Sequence, residues 1–370
     1  MTHLKRIQIH HLRNLTDVSL ELSPRVNLFF GDNGSGKTSF LEAISLLGMG
    51  RSFRSQKNHS LIQSEQKNTT LFTELSDSAG HRHSIGIQKN RSAQNFVRMN
   101  GETLTSAAPL AHKLPLQIIN ADSFRLIEGS PKDRRRFLDW MVFHVKPDFP
   151  GLWKRFQRTL KQRNSLLKND KMSELEIMSW SPEFVNVSEK IHQLRQNTHS
   201  QLCEYFINLK DDPLAKFFSS IELDYLPGWE LDLGLDLVLQ QSLSRDRRYN
   251  YTHHGPHRAD IKILQDGKPA GDILSRGQEK TLIVTMHWIQ AKIYQDAHQQ
   301  ACVFLIDDLL AELDETNARQ LIDRLWDFGG QLFMTGLDSE QLKKLWSDKS
   351  ADDIAMFHVE QGKISPLNRI

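Results

Sequence analysis

The chain has 370 residues, a formal net charge of +2, 39% hydrophobic and 25% charged residues, which is ordinary for a soluble globular protein of one large domain or two lobes. No apolar run reaches the length of a membrane span and the first residues carry no signal-peptide core, so a cytoplasmic protein without membrane contact is expected. The two cysteines, Cys203 and Cys302, suit a reducing compartment.

Taken in chain order, alternating apolar residues predict strands over 4–10 and 18–22, followed by a buried strand over 26–30. Residues 40–47 have helical spacing. Between strand and helix lies G-x-x-x-x-G-K-T, a P-loop in the context its mechanics require. Its glycines let successive backbone N–H groups curl toward phosphate oxygens, and the helix N-terminus adds partial positive charge. The expected nucleotide-binding residues are therefore Gly31, Asp32, Asn33, Gly34, Ser35, Gly36, Lys37, Thr38 and Ser39. Lys37 would neutralise the β- and γ-phosphates of ATP, and Thr38 would place its hydroxyl on Mg²⁺.

Further strands are predicted over 70–75, 83–88, 96–99 and 116–119, with Asn100-Gly101 as a hairpin turn. From Pro131 the period becomes helical, with Ser130 as cap, and it continues over 152–167 and 184–206. Between Arg125 and Lys171, 13 Lys and Arg stand against 5 Asp and Glu. Lys154, Arg155 and Arg158 are candidates for contact with DNA phosphates, although a solvated helical surface explains the same surplus. Trp153 and Phe156, which lie among them, fit a core face equally well. Asp211-Asp212-Pro213 and Leu226-Pro227-Gly228-Trp229 end the helical region. In 253–260 three histidines and Asp260 invite a metal reading, against which stand the Gly255-Pro256 turn and the absence of zinc-type spacings.

Toward the C-terminus, Leu274-Ser275-Arg276-Gly277-Gln278 precedes an apolar helix over 281–294, and Ser275 with Gln278 can form a capping box. The apolar stretch 302–306 then ends in Asp307 and Asp308. A P-loop needs an acid from a second strand, so Asp307 would hold Mg²⁺ and Asp308 would polarise the attacking water. Lys37 and Asp308 are thus the candidate catalytic residues, with Thr38 and Asp307 as metal ligands. A final strand over 331–336 would turn its polar end toward the same phosphate.

The order P-loop, Leu-Ser-x-Gly-Gln, strand-end acids and Leu313-Asp314 resembles the ATPase heads of the ABC type found in SMC and Rad50 proteins. Leu12-Arg13-Asn14, Gly50-Arg51-Ser52-Phe53-Arg54, Gly129-Ser130-Pro131 with Arg134-Arg135 and Phe137-Leu138-Asp139, and Gly255-Pro256-His257-Arg258 narrow the resemblance to the RecF family of bacterial DNA replication and repair proteins. It runs from about residue 4 to 336, most of the chain. The resemblance implies an α/β fold, with an ABC-type lobe built from 1–125 and 250–370 and a mainly helical lobe over 126–249. It implies that Ser275, Arg276, Gly277 and Gln278 act in trans on ATP held by a second copy, with Asp314 at the dimer interface. A weak, DNA-stimulated ATPase would then time an ATP-dependent homodimer on double-stranded and single-stranded DNA at gaps or junctions, with RecR and RecO as partners. Two features depart from common patterns. Asn120-Ala121-Asp122 replaces a Pro-acid pair, leaving the Q-loop residue unassigned, and Asp308 stands where most ABC ATPases have glutamate. The rivals are an SMC- or Rad50-like bridging ATPase, for which the interrupted helical region is too short, and a P-loop kinase of a small molecule, which would lack Leu-Ser-x-Gly-Gln.

Overall fold

The computed structural model describes residues 2–55, 57–77, 79–92, 94–209, 220–308 and 315–367. The chain forms two compact units, Met1–Ser123 with Tyr294–Ile370, and Phe124–Ile293. In chain order the first unit begins with β1 (His3–Leu12), β2 (Leu15–Glu21), β3 (Val26–Phe30), α1 (Lys37–Met49) and α2 (Asn58–Leu61). It continues with β4 (Asn68–Ser76), β5 (Arg82–Asn90), β6 (Asn95–Met99), β7 (Glu102–Thr103), α3 (Ala108–Lys113) and β8 (Leu116–Ile119). The second unit holds α4 (Arg125–Glu128), α5 (Pro131–Val145), α6 (Phe149–Leu167), α7 (Glu174–Ser179), α8 (Ser181–Asn208), β9 (Ile221–Leu226), α9 (Leu235–Gln241), α10 (Leu243–Tyr249), β10 (Asp260–Gln265) and β11 (Lys268–Pro269). After α11 (Arg276–His298) come β12 (Val303–Ile306), α12 (Glu315–Phe328), β13 (Leu332–Gly336), α13 (Ser339–Trp346), β14 (Ile354–Glu360) and β15 (Lys363–Pro366).

Two six-stranded sheets build the first unit. One is antiparallel in the order β2-β1-β4-β5-β6-β7, and its strands alternate between buried and more exposed positions because only one face meets the core. The other runs β15-β14-β3-β13-β12-β8, with every pairing parallel except β14 with β15. Its central strands are covered on both faces and are mainly apolar, with the buried Asn27 in β3 and Thr335 in β13 as polar positions. Helix α1 packs against β1, β4 and β5 of the first sheet and against β8 and β13 of the second, so Phe40, Ala43, Ile44, Leu46 and Leu47 are all fully buried. β14 and β15 lie beyond 336, where the sequence reading placed its last strand. β14 joins the sheet on the free side of the P-loop strand β3.

The second unit gathers α5, α6, α8 and α11 around Phe137, Phe156, Phe184, Ile191, Leu282 and Met286, beside the antiparallel sheet β9-β10-β11. Residues 250–293, which the sequence reading joined to the ATPase lobe, fall in this unit because Leu274 and the apolar face of α11 complete its core. Phe156 is core and Trp153 packs on it. Buried or half-buried ion pairs tie the elements together. Arg134 grips Asp260 at 2.7 and 2.9 Å, Arg195 grips Asp139 at 2.8 and 2.9 Å, and Arg163 meets Asp246 at 2.7 Å. Arg195 and Arg135 also donate to the Pro256 and Ala259 carbonyls, which adds charge-assisted hydrogen bonds to the network. The histidine-rich stretch joins this network. His253 meets Asp246 at 2.7 Å, His257 Nε2 lies 2.9 Å from the Thr252 carbonyl, and Asp260 is occupied by Arg134. Asp211-Asp212-Pro213 lies outside the described residues. No helix among the described residues is long and apolar enough to cross a membrane.

Candidate nucleotide site

Because β14, β3, β13, β12 and β8 run parallel, their carboxyl ends share one edge of the sheet, where open α/β sheets take their ligands. The P-loop leaves β3 there. Gly31, Gly34 and Gly36 have φ of 144°, 80° and 126°, values that side-chain-bearing residues avoid. Helix α1 starts at Lys37 without a side-chain cap, which leaves its first N–H groups for an anion. The Lys37 ammonium is buried in the curl and donates to the carbonyls of Gly31 and Asp32 at 2.6 and 3.0 Å. Ser35 Oγ is buried in the same loop without a hydrogen-bond partner, a group that a phosphate oxygen would satisfy.

Asp307 follows β12, and its Oδ1 accepts hydroxyls from Thr38 at 3.1 Å and from Thr335 at 2.8 Å. Thr335 is the polar end expected for the 331–336 strand, and its Oγ1 in turn accepts the Asp308 N–H at 2.9 Å. Asp308 has a left-handed backbone, φ 49°, and an exposed side chain. Burial pushes the Asp307 carboxyl above the ordinary aspartate value, against the pull of the Thr335 and Thr38 hydroxyls; the charge of Asp308 adds to the rise and that of Arg54 opposes it. Asn120, at the end of β8, neighbours this acid through the Asp307 N–H bond to the Ile119 carbonyl, and its own side chain accepts the Asp122 N–H.

Sequence reasoning assigned no role to the residues that brace the loop. Asn14, in the turn after β1, donates to the carbonyls of Gly34 and Ser35 at 3.1 and 3.0 Å and accepts from Ser39 Oγ at 3.0 Å. Arg13 forks onto the fully buried Glu42 of α1 at 2.9 and 2.8 Å. Ser52 also bonds Glu42, and Arg54 approaches it at 3.8 Å, which secures the basic connector after α1. On the other side, the β14–β15 turn closes on the loop. Gly362 N–H donates to the Ser35 carbonyl at 2.8 Å, and a Cβ on Gly31 would stand 2.1 Å from the Val359 carbonyl oxygen. The apolar run 354–359 followed by Gln361-Gly362 was the available signal for this hairpin.

The remaining candidates lie in the second unit. Ser275 and Gln278 form the expected capping box, with Ser275 N–H on Gln278 Oε1 at 2.9 Å and Gln278 N–H on Ser275 Oγ at 3.4 Å. Arg276 pairs with Glu128 and with Glu279. A Cβ on Gly277 would meet open space and its φ is ordinary, so nothing within the chain demands glycine there. On α6, Lys154, Arg155 and Arg158 are exposed, and Arg155 is engaged with Glu183 at 2.5 Å. Asp314 lies outside the described residues.

The family described as RecF/RecN/SMC N terminal domain matches residues 3–365. The DNA replication and repair protein RecF of Cellvibrio japonicus is 43% identical over 364 residues, covering 98% of this chain and 99% of that one. RecF of Pseudomonas paraeruginosa is 42% identical over 369 residues, covering 99% and 98%. Among solved structures, the recombination mediator protein RecF-ATP in the RecFOR pathway superposes with a TM-score of 0.85 at 26% identity over 99% of this chain and 98% of that one. A Pyrococcus furiosus Smc head domain shares the fold, with a TM-score of 0.58 and 15% identity over 100% and 97% of the two chains.

Proposed function

Since this chain belongs to the RecF family, we propose that it is an ATP-dependent DNA clamp in replication and recombinational repair, a weak DNA-stimulated ATPase whose two copies close head to tail on DNA. The observation that carries the reading is the meeting of Thr38 and Thr335 on Asp307 beside a P-loop held from both sides. Backbone N–H groups of the loop, Lys37 and the α1 N-terminus bind and neutralise the phosphates. Thr38 and Asp307 supply hard oxygen donors of the kind Mg²⁺ takes alongside phosphates and water, and the bound ion would offset the phosphate charge. Asp308, exposed at the same edge, orients and polarises the attacking water.

The glycine at 277 supports action in trans. It follows the exposed Ser275 and Arg276 at the start of α11, where its own chain would tolerate a side chain. A second copy's ATP approaching that helix start would not. DNA at gaps or junctions, double- and single-stranded, is the substrate surface, with Lys154 and Arg158 as phosphate contacts and RecR and RecO as protein partners.

The test uses Ser275→Arg. This variant is expected to bind ATP as a monomer, to fail in ATP-dependent dimerisation and to lose turnover. Mixing it with Lys37→Met restores some dimer, because one composite site then has both Lys37 and Ser275 intact. Dimerisation of Ser275→Arg alone at the wild-type level refutes the clamp. Turnover indifferent to DNA favours the small-molecule kinase instead.

A further inference from the structure

The end of α10 carries a patch that no step above uses. Asn250 closes the helix with a left-handed φ of 60°, so the chain reverses between Tyr249 and Tyr251 and their rings come together at 6.3 Å. The His253 ring follows at 4.1 Å from Tyr251. Two arginines flank the row, Arg248 at 5.6 Å over Tyr249 and Arg258 at 5.2 Å over Tyr251. Tyr249 and Tyr251 remain 51% and 38% exposed, so part of each ring is open to solvent.

That support is rigid because it is anchored from below. Asp246 is fully buried, pairs with Arg163, and takes both the N–H and Nδ1 of His253. Thr252, also buried, is held by Arg163 and by Asn164 at 2.7 Å each. The nearby carboxylate is therefore consumed inside the fold. Among the described residues neither Arg248 nor Arg258 has a carboxylate in ion-pair reach. Pre-positioned flat rings with uncompensated positive charge at both ends match a chain of alternating π-faces and phosphates, which is single-stranded nucleic acid.

We infer that Arg248, Tyr249, Tyr251 and Arg258 form a stacking platform for single-stranded DNA, with the largely buried His253 ring packed against Tyr251. Unpaired bases lie on the tyrosines and the arginines hold the phosphates on either side. Duplex DNA cannot use it, because its bases are already stacked on one another. The inference deepens the DNA-binding reading by naming a surface and a form of DNA, but it requires neither ATP nor dimerisation.

The experiment measures anisotropy of a fluorescein-labelled thymidine oligonucleotide, and of a duplex, with the full chain and no nucleotide. Tyr249→Ala and Tyr251→Ala are each expected to weaken single-strand binding by about fivefold to a hundredfold, with duplex binding unchanged. Tyr251→Phe keeps the ring and retains affinity, which separates loss of stacking from loss of fold. Arg248→Gln and Arg258→Gln each lower the salt slope for the single strand by about 0.7. Photocrosslinking from 5-iodouracil should map to a peptide containing Tyr249 or Tyr251. Wild-type single-strand affinity in both alanine variants overturns the platform, as does an equal loss for single strand and duplex. Neither result touches ATP-dependent dimerisation, and failure of dimerisation leaves this nucleotide-free binding in place.

Discussion

Asn14 never reaches a phosphate, yet Asn14→Ala is expected to weaken ATP binding measurably. Its side chain makes three hydrogen bonds, to the carbonyls of Gly34 and Ser35 and from the Ser39 hydroxyl. Each such bond contributes about 0.5–1.5 kcal/mol net. The Gly34 contact is exposed, so water takes over there, and the remaining part-buried pair sets the loss at about 1–2 kcal/mol, the lower end of the range. The loop then samples shapes whose N–H groups no longer converge, and apparent affinity falls in proportion to the competent fraction, roughly 5- to 30-fold. Titration calorimetry with a non-hydrolysable ATP analogue, without DNA, measures this directly. Asn14→Asp should be no better, because it places a carboxylate against two carbonyl oxygens. An unchanged dissociation constant in Asn14→Ala, with the thermal transition also unchanged, would refute the idea that this turn holds the loop in shape.

Asp307→Asn should abolish turnover while raising thermal stability at neutral pH. Burial raises the Asp307 pKa, so its charge costs stability above that value, and the gain over wild type should vanish as the pH falls and Asp307 takes a proton. Asp308→Asn should keep ATP binding and slow hydrolysis, and a loss of nucleotide and Mg²⁺ binding alike in both variants would refute the division of roles. His257 titrates near 4 because burial disfavours its charge, and with Nε2 on the Thr252 carbonyl its Nδ1 has no acceptor for a second proton. The unfolded chain binds that proton first, so stability is intact above pH 6.5 and falls by about 3 kcal/mol toward pH 4; urea titrations of His257→Gln should show a shallower acid loss. Replacing Lys154, Arg155 and Arg158 by Gln should reduce the duplex-DNA salt slope by up to about 0.9 per lost contact, with Arg155 contributing least because Glu183 already holds it. A slope identical to wild type would return α6 to plain solvated surface.

The elements whose logic is local were legible from the sequence. The P-loop announces itself because phosphate binding needs glycines, lysine and threonine at set spacing next to a strand and a helix. Strands β3, β12 and β13 showed as apolar runs, and the Ser275–Gln278 capping box showed as a four-residue pattern. Periodicity likewise located α5, α6, α8 and α11. What only the tertiary structure decided concerns partners far apart in sequence. Asn14 braces the carbonyls of Gly34 and Ser35 from the turn after β1, and the Gly362 amide closes on Ser35 from the far end of the chain. Hydrophobic pattern carries no information about which strand a distant strand joins, so β14 beside β3 and the hairpin against the P-loop could not be read from it. Residues 250–293 belong to the helical unit because α11 offers its apolar face to that core, and an apolar face fits any core of suitable shape. The histidines of 253–260 show the same limit. Their residue types invited a metal reading that the Gly255-Pro256 turn already opposed, and only the positions of Asp246, Thr252 and Arg134 reveal which partners His253, His257 Nε2 and Asp260 take in the fold.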